Sequence, residues 1–299
     1  MTKRWPDLFI VGAPKAGTSS LYELLQRSGD ICMASVKEPR FFNVNIDHDA
    51  FMSGSVTNEE RYLALFDSCP GAKLRGEASP SYLVDPDTPA AIYARSPEAK
   101  IIVMVRDPVD RAYSHFRFHE IRTGRTTRSF DEAIEECLAI VGREFYHPRY
   151  LLQPGFYSAQ IQRYQETFGV DRVRTVLYND FVSSTESVVA ELCEFLQVSL
   201  PADLVLTGAQ RNAAGAPRNG AARWLMANEV IRTAITRFGL GSKAVEMGKR
   251  HLLKASTAPP MSASAREVLE ELYAADTRAL AELLGRELPW GSNRSAKVD

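Results

Sequence analysis

The sequence predicts an α/β fold in which a central, mainly parallel sheet is flanked by helices. Three short apolar runs, at residues 8–11, 100–105 and 173–178, alternate with segments of helical periodicity, which is typical of parallel βαβ units. The first run ends at a glycine-bearing loop, and the second ends at Arg106-Asp107-Pro108. Parallel sheets bind their ligands at the carboxyl ends of the strands, so these two breaks are the candidate functional positions.

The first unit begins with the uninterrupted apolar run at 8–11, which suits a strand buried on both faces. Loop 12–19 follows, and leucines then recur at the helical positions 21, 24 and 25. A strand, a glycine-bearing loop and a helix in this order form a phosphate-binding cradle.

Helical periodicity also follows the other two strands and recurs near the C-terminus. Apolar residues there share one helix face, which predicts a packed helix. The predicted helices lie around 111–119, at 130–141, at 186–196 and at 262–284. Residues 207–220 are rich in Gly, Ala and Asn and are expected to form a loop.

The composition is that of an average globular protein with almost no net charge. Of its 299 residues 45% are hydrophobic, and 36 Lys plus Arg oppose 37 Asp plus Glu, for a formal net charge of -1. No diffuse basic field exists to hold a nucleic acid or an anionic membrane, so an anionic ligand must be bound locally. No repeat or long linker occurs, which predicts a single domain over residues 1–299 with a frayed tail at 291–299.

The four cysteines are widely spaced and include no Cys-x-x-Cys pair, so neither a zinc site nor a redox pair is predicted. Buried free thiols are the favoured interpretation of Cys32, Cys69, Cys137 and Cys193. The apolar run at 8–11 is too short for a signal-peptide core, and no run long enough to span a membrane occurs. We therefore expect a cytoplasmic protein without membrane insertion.

Loop 12–19 has the composition of an oxyanion-binding loop. Its glycines let successive backbone N–H groups converge on one anion, the next helix adds its positive end, and Lys15 adds a full charge. A Walker A loop places its lysine directly after the second glycine, whereas Lys15 precedes Gly17 by two residues, so the loop is P-loop-like without being that of an ATPase. An ordinary strand-to-helix turn is the alternative. The candidate binding residues are Gly12, Lys15, Ala16, Gly17, Thr18 and Ser19.

Residues 12–21, GAPKAGTSSL, resemble the 5′-phosphosulfate loop of sulfotransferases that use 3′-phosphoadenosine 5′-phosphosulfate (PAPS). Residues 105–114, VRDPVDRAYS, are similar to the 3′-phosphate motif of the same family. The resemblance implies the P-loop-like sulfotransferase fold and implies that Arg106 and Ser114 grip the 3′-phosphate. A guanidinium fork with a helix-borne hydroxyl suits such a dianion.

Two further segments extend this resemblance. Residues 216–220, APRNG, resemble the late Arg-Lys-Gly loop that closes over the 3′-phosphate in cytosolic sulfotransferases. This implies cofactor contacts for Arg218 and Gly220, with Asn219 where that family has lysine. Tyr178 lines up with a tyrosine that contacts the adenine; a core aromatic is the alternative interpretation.

Residues 37–43, KEPRFFN, resemble the segment with the proposed catalytic glutamate in the sulfotransferases of heparan sulfate synthesis. Sulfonyl transfer needs a base for the acceptor proton and a cation near the leaving phosphate. The resemblance implies that Glu38 is this base and that Lys15 is this cation. Phe41 and Phe42 are expected to exclude water and to raise the pKa of the Glu38 carboxyl. The alternative is a solvated Lys37-Glu38 pair ahead of two core phenylalanines.

Other groups are also candidate bases. Residues 76–82, GEASPSY, resemble a Glu-Lys-x-x-x-Tyr segment of those enzymes, with Ala78 in place of the lysine, which leaves Glu77 as the second candidate. The cytosolic small-molecule enzymes use a histidine, which keeps His115 and His119 as further candidates.

Taken together, these motifs predict a PAPS-dependent sulfotransferase that needs no metal. The expected acceptor is a hydroxyl, or alternatively an amine, of a carbohydrate, lipid or secondary metabolite. Arg40, Tyr82 and Tyr157 are the expected acceptor contacts, and arginines at 117, 122, 125 and 128 form a candidate basic cleft. A P-loop kinase or NTPase and a non-catalytic nucleotide-binding module are the two alternative functions.

Overall fold

The computed structural model of the protein describes residues 4–43, 55–123, 129–139, 151–200, 215–217, 253–255 and 260–291. Its main sheet consists of β1 (Leu8–Gly12), β2 (Ile31–Met33), β3 (Leu74–Ala78), β4 (Lys100–Val105) and β5 (Val173–Leu177). The five strands lie in the order β2-β3-β1-β4-β5, and every neighbouring pair is parallel. The predicted α/β fold with a parallel sheet is therefore confirmed.

The central strand β1 is buried on both faces, as its apolar run predicts. Leu8, Phe9, Ile10 and Val11 are each 0% exposed. The strand pairs with β3 on one side and with β4 on the other. The chain therefore passes from β3 on one side of β1 to β4 on the other. In parallel sheets, ligands usually bind beyond the carboxyl ends of the strands at the point where the strand order reverses in this way.

The helices pack on this sheet and on one another. Those described are α1 (Thr18–Leu25), α2 (Glu59–Ala64), α3 (Thr88–Tyr93), α4 (Pro108–Thr123), α5 (Phe130–Leu138), α6 (Tyr157–Phe168), α7 (Tyr178–Ser183), α8 (Thr185–Leu196) and α9 (Ala263–Leu284). Helix α1 packs on β1, β2 and β3, whereas α6 packs on β4 and β5. Helix α9 contacts α4, α5 and α6, and it shares a second apolar cluster with α4 and α5. No helix in the described ranges is long and apolar enough to cross a membrane.

The predicted strands and helices are present, with shifted ends. Within the loop predicted at 207–220, the described residues Gly215–Pro217 form a strand, β6, and the others lie outside the described residues. The helix expected around 111–119 begins earlier, at Pro108, because proline is well suited to a first helical turn. Tyr178, expected as the last residue of a strand, instead begins α7. Strands β2 and β3 were not predicted, since β2 has only three residues and β3, LRGEA, contains two charged residues, of which Glu77 is buried.

The structure corrects the expectation of four free thiols. Cys32 and Cys69 form a disulfide with a Cα–Cα distance of 5.7 Å, although they are 37 positions apart in the sequence. Cys32 lies in β2, and Cys69 shortly precedes β3, which pairs with β2, so the sheet brings together residues whose linear spacing carries no pairing signal. Cys193 is a buried thiol, as expected, whereas Cys137 is only partly buried.

Candidate active site

The segments that follow β1, β3, β4 and β5 meet at the carboxyl edge of the sheet. The Arg106 guanidinium donates to the Lys15 carbonyl oxygen over 3.5 Å, and its central carbon lies 4.8 Å from the centre of the Tyr178 ring. The amide of Glu38 donates to the carbonyl oxygen of Ala78, at the end of β3, over 3.1 Å. The structure therefore brings the two phosphate motifs and the segment of the predicted base to one place.

Gly17 shapes the cradle after β1. It precedes α1 with a left-handed φ of 96°, and a Cβ added there would lie 3.0 Å from Tyr178 Cδ2. Both its conformation and its close approach therefore require glycine. Helix α1 then begins at Thr18 without a side-chain cap and without an acidic residue in its first turn, so its positive end is available to an anion. Gly12 and Ala16, both within the loop, are buried.

Lys15 carries the positive charge of this loop. Burial lowers the pKa of its ammonium group to about 8; the Glu38 carboxylate partly offsets the decrease, whereas Arg106 and Lys37 add to it. Its Nζ lies 3.9 Å from the centre of the Phe118 ring, a cation–π contact. A desolvated ammonium group among other cations suits a strongly anionic ligand, whose charge would restore the charged form of the lysine.

The 3′-phosphate motif follows β4. Arg106 is the first residue after the strand, and Ser114 lies in the second turn of α4, where it is half-buried. Tyr157 is fully buried beneath this turn, and its hydroxyl donates to the Arg106 carbonyl oxygen at 2.9 Å. Tyr178 is half-exposed, with the Arg106 guanidinium over its ring, so it is not a core aromatic.

The segment 38–43 has a strained backbone that several contacts fix in place. Glu38 and Arg40 have left-handed φ angles of 60° and 55°, which are unfavourable for residues with a Cβ. The amide of Arg40 donates to Ser79 Oγ, and the amide of Phe42 donates to the Tyr82 hydroxyl, each over 3.1 Å. Strain of this kind persists only where surrounding contacts determine the conformation, and it is common at functional sites.

Two cations flank the Glu38 carboxylate. Lys37 Nζ lies 2.6 Å from Oε1, and an Arg40 guanidinium nitrogen lies 2.5 Å from Oε2. Burial raises the pKa of Glu38, but Lys37 and Arg40 outweigh it, so the pKa lies below its usual value. The expectation that the phenylalanines raise this pKa is wrong. Phe41 stacks on Tyr62 at 4.3 Å and Phe42 is buried, so both rings pack into an aromatic cluster while the cations control the carboxylate.

The alternative bases occupy different surroundings. Glu77 is 0% exposed, and its carboxylate accepts hydrogen bonds from three hydroxyl groups. His115 Nδ1 lies 3.3 Å from a nitrogen of Arg111, whose side chain is fully buried. The side chain of His119 lies outside the described part of the chain.

The predicted acceptor contacts separate into two groups. Arg40 lies beside Glu38 and is partly exposed, as an acceptor contact requires. Tyr82 and Tyr157 are 0% and 1% exposed, so the expectation that they touch an acceptor is wrong; their hydroxyls serve internal hydrogen bonds. In the proposed basic cleft, Arg117 is half-buried beside Tyr113. The side chains at 122, 125 and 128 lie outside the described residues.

The late cofactor loop is described only at its start. Residues Gly215–Pro217 form β6, which pairs antiparallel with β7 (Leu253–Ala255) and contacts α4, the helix of Ser114. Arg218 and Gly220 lie outside the described residues, so their cofactor contacts stay predictions.

Sequence reasoning missed Phe118 as a site residue. It is 41% exposed on α4 and contacts Lys15 Nζ. A single aromatic residue three turns into a helix belongs to no sequence motif. Phe118 is recognised as a site residue only because the fold places α4 beside loop 12–19.

Comparisons with known proteins agree with this geometry. A family model described as "Sulfotransferase domain" matches residues 5–220. The crystal structure of a sulfotransferase from Alicyclobacillus acidocaldarius superposes with a TM-score of 0.69 at 28% sequence identity, covering 95% of this chain and 98% of that chain.

Two curated relatives are heparan sulfate glucosamine 3-O-sulfotransferases. Isoform 3B1 of Mus musculus is 25% identical over 299 aligned residues, which cover 97% of this chain and 66% of the relative. Isoform 6 of Homo sapiens is 37% identical over 118 residues, which cover 38% of this chain and 30% of the relative. The chain thus matches less than two-thirds of the length of either relative.

Proposed function

The chain belongs to the sulfotransferase domain family, and from that premise we propose that it transfers a sulfonyl group from PAPS to an acceptor hydroxyl or, alternatively, an amine. The acceptor is a small molecule, a lipid or a carbohydrate. One observation carries the proposal: Lys15, Arg106 and Tyr178 meet at one edge of the sheet, beside the segment that presents Glu38. Neither alternative function has such an observation in its favour.

The residues at this edge fit the charges of PAPS. The open end of α1 and the ammonium group of Lys15 suit its 5′ phosphosulfate. Arg106 and Ser114 are positioned after β4 for the 3′-phosphate, and the ring of Tyr178 offers a surface for the adenine. When bound, PAPS supplies the sulfonyl group and a phosphate leaving group.

The side chains of this protein supply the proton transfer and the charge stabilisation. Glu38 Oε1 or Oε2 takes the proton of the acceptor group, and Lys37 and Arg40 keep the carboxylate ionised beforehand. Each carboxylate oxygen accepts from one cation and keeps a second lone-pair site, so a site remains for the proton of the acceptor. Lys15, in its protonated form, stabilises the charge that develops on the leaving phosphate.

Binding and transfer assays with purified protein test the proposal. Wild type is expected to bind PAPS and to transfer a radiolabelled sulfonyl group to at least one member of a panel of oligosaccharides, glycolipids and phenols. Lys15→Ala and Arg106→Ala are expected to weaken PAPS binding at least tenfold. Lys73→Ala is the matched control, because Lys73 is largely exposed just before β3, at the opposite edge of the sheet. Absence of PAPS binding by wild type, or full binding by both site variants, would overturn the proposal.

A further inference from the structure

Glu77 is a buried carboxyl group with no part in the proton transfer proposed above. It lies in β3 and is 0% exposed. Its Oε1 accepts from the hydroxyls of Tyr62 and Tyr82 at 2.5 and 2.8 Å, and its Oε2 accepts from Ser79 Oγ at 2.7 Å. Burying a carboxyl group costs free energy, which these three hydrogen bonds offset. The role of such a group in the fold therefore requires an explanation.

Two of these hydroxyls also hold the segment that presents Glu38. Ser79 Oγ accepts the amide of Arg40, and the Tyr82 hydroxyl accepts the amide of Phe42, each at 3.1 Å. A hydroxyl has one proton to donate. Ser79 and Tyr82 each donate this proton to Glu77, so only the lone pairs of their hydroxyl oxygens can face the amides of Arg40 and Phe42. In its ionised form the Glu77 carboxyl only accepts hydrogen bonds, and this form thereby fixes both hydroxyls as acceptors for the backbone of the segment.

That backbone needs external support. Glu38 and Arg40 have left-handed φ angles, 60° and 55°, and return to ordinary backbone geometry would turn the Glu38 side chain away from its present direction. The hydrogen bonds to Ser79 and Tyr82 act at the second strained residue and two positions beyond it. Glu77 thus acts on Glu38 through two hydroxyls and two amides.

We propose that Glu77 is a positioning residue that holds segment 38–43 in its strained conformation through Ser79 and Tyr82 and so directs Glu38 at the acceptor. This inference rests on the proposed function, and it assigns Glu77 a role other than that of the second candidate base. With its oxygens engaged by buried hydroxyls, Glu77 has no open path to an acceptor in this structure.

Glu77→Gln tests the proposal, because a carboxamide keeps the shape but replaces one acceptor oxygen with a donor. We expect kcat for sulfonyl transfer to fall at least tenfold, while the Kd for adenosine 3′,5′-bisphosphate stays within twofold of wild type. Hydrogen exchange in a peptide covering 38–43 is expected to quicken at least fivefold, with no change in 12–17. A folded Glu77→Gln protein with wild-type kcat, or with unchanged exchange over 38–43, would overturn the inference.

Single-hydroxyl variants decide the question if Glu77→Gln does not fold. Ser79→Ala and Tyr82→Phe are expected to lower kcat, whereas Tyr62→Phe, whose hydroxyl contacts Glu77 but not the segment, is expected to stay within threefold of wild type. Ser96→Ala and Tyr273→Phe are matched controls, because each removes a buried hydroxyl bonded to a backbone carbonyl elsewhere. Equal kcat in Ser79→Ala and Ser96→Ala would overturn the inference. Hydrogen exchange can be measured even in a protein that transfers no sulfonyl group. The exchange result therefore tests the role of Glu77 separately from the proposed function.

Discussion

The Arg40 guanidinium lies 2.5 Å from one carboxylate oxygen of Glu38, two positions earlier in the chain. In an extended strand, side chains two apart point to the same face, but their Cα atoms lie about 6.6 Å apart. Here both residues have left-handed φ angles, which lets the side chains meet. The contact joins a candidate base to a cation that keeps it ionised, so the pH range in which Glu38 can accept a proton depends on Arg40.

Replacing Arg40 is expected to shift the pH dependence of catalysis. A base must be ionised, so kcat falls as the pH drops through the pKa of Glu38. Arg40 holds this pKa down together with Lys37, so in Arg40→Gln the acid limb of the kcat profile moves to higher pH. Rates measured from pH 4 to 8 test this, with the exposed Arg27→Gln as control. An acid limb at the same pH in Arg40→Gln and wild type would contradict the assignment of Glu38 as base.

Gly17→Ala is expected to damage the cradle. A left-handed φ costs a residue with a Cβ about 1 to 2 kcal/mol, and the added Cβ would lie 3.0 Å from the Tyr178 ring. We expect a lower free energy of unfolding and at least tenfold weaker binding of adenosine 3′,5′-bisphosphate by calorimetry. Gly29→Ala is the control, since nothing lies within 4 Å of a Cβ at that position. Equal affinity in the two variants would count against the cradle.

The affinity for adenosine 3′,5′-bisphosphate is expected to fall at alkaline pH. The pKa of Lys15 lies at about 8 in the free protein, so the ammonium group loses its proton above that pH. An anionic ligand binds the protonated form, so its Kd should rise about tenfold between pH 7 and pH 9. Lys15→Arg should remove this dependence, because a guanidinium stays charged throughout the range. A wild-type Kd that is constant from pH 7 to 9 would exclude titration of Lys15 as the controlling event.

The disulfide predicts two reactive thiols in the unreduced, denatured protein and four after reduction. Replacing both Cys32 and Cys69 with Ser is expected to lower the free energy of unfolding by about 3 kcal/mol. Cys137→Ser, which removes a thiol outside this disulfide, is the control. Four reactive thiols before reduction would show that the bond does not form. Disulfides are rare in the cytosol, so this bond does not favour the expected cytoplasmic location. That location stays a prediction, which cell fractionation would test.

Elements with a strong local pattern were predicted from the sequence, and contacts between distant segments were not. The buried run at 8–11 and the break at Arg106 follow from residue types alone, because apolar runs and charged strand ends are local features. The sequence names Glu77 only as the second candidate base and does not predict the burial of its carboxyl. That burial is compensated by the hydroxyl of Tyr62, which the fold brings from another segment, and by that of Tyr82 in the same segment. The pairing of Cys32 with Cys69 has the same origin.

The burial of Glu77 predicts a loss of stability as the pH rises. Desolvation raises the pKa of its carboxyl from the usual 4.5 to about 7, although three hydroxyl donors act in the opposite direction. Between these two values the unfolded chain has released the proton and the folded protein still holds it, so the free energy of unfolding decreases with pH, by a few kcal/mol in total. In Glu77→Gln this contribution is absent, so urea unfolding at pH 4.5, 5.5, 6.5 and 7.5 should give a flatter profile than wild type. Ser96→Ala, which removes a buried hydroxyl without a carboxyl, should keep the wild-type slope. A Glu77→Gln profile as steep as that of wild type would show that Glu77 titrates near its usual pKa and that its burial is compensated by the hydroxyls alone.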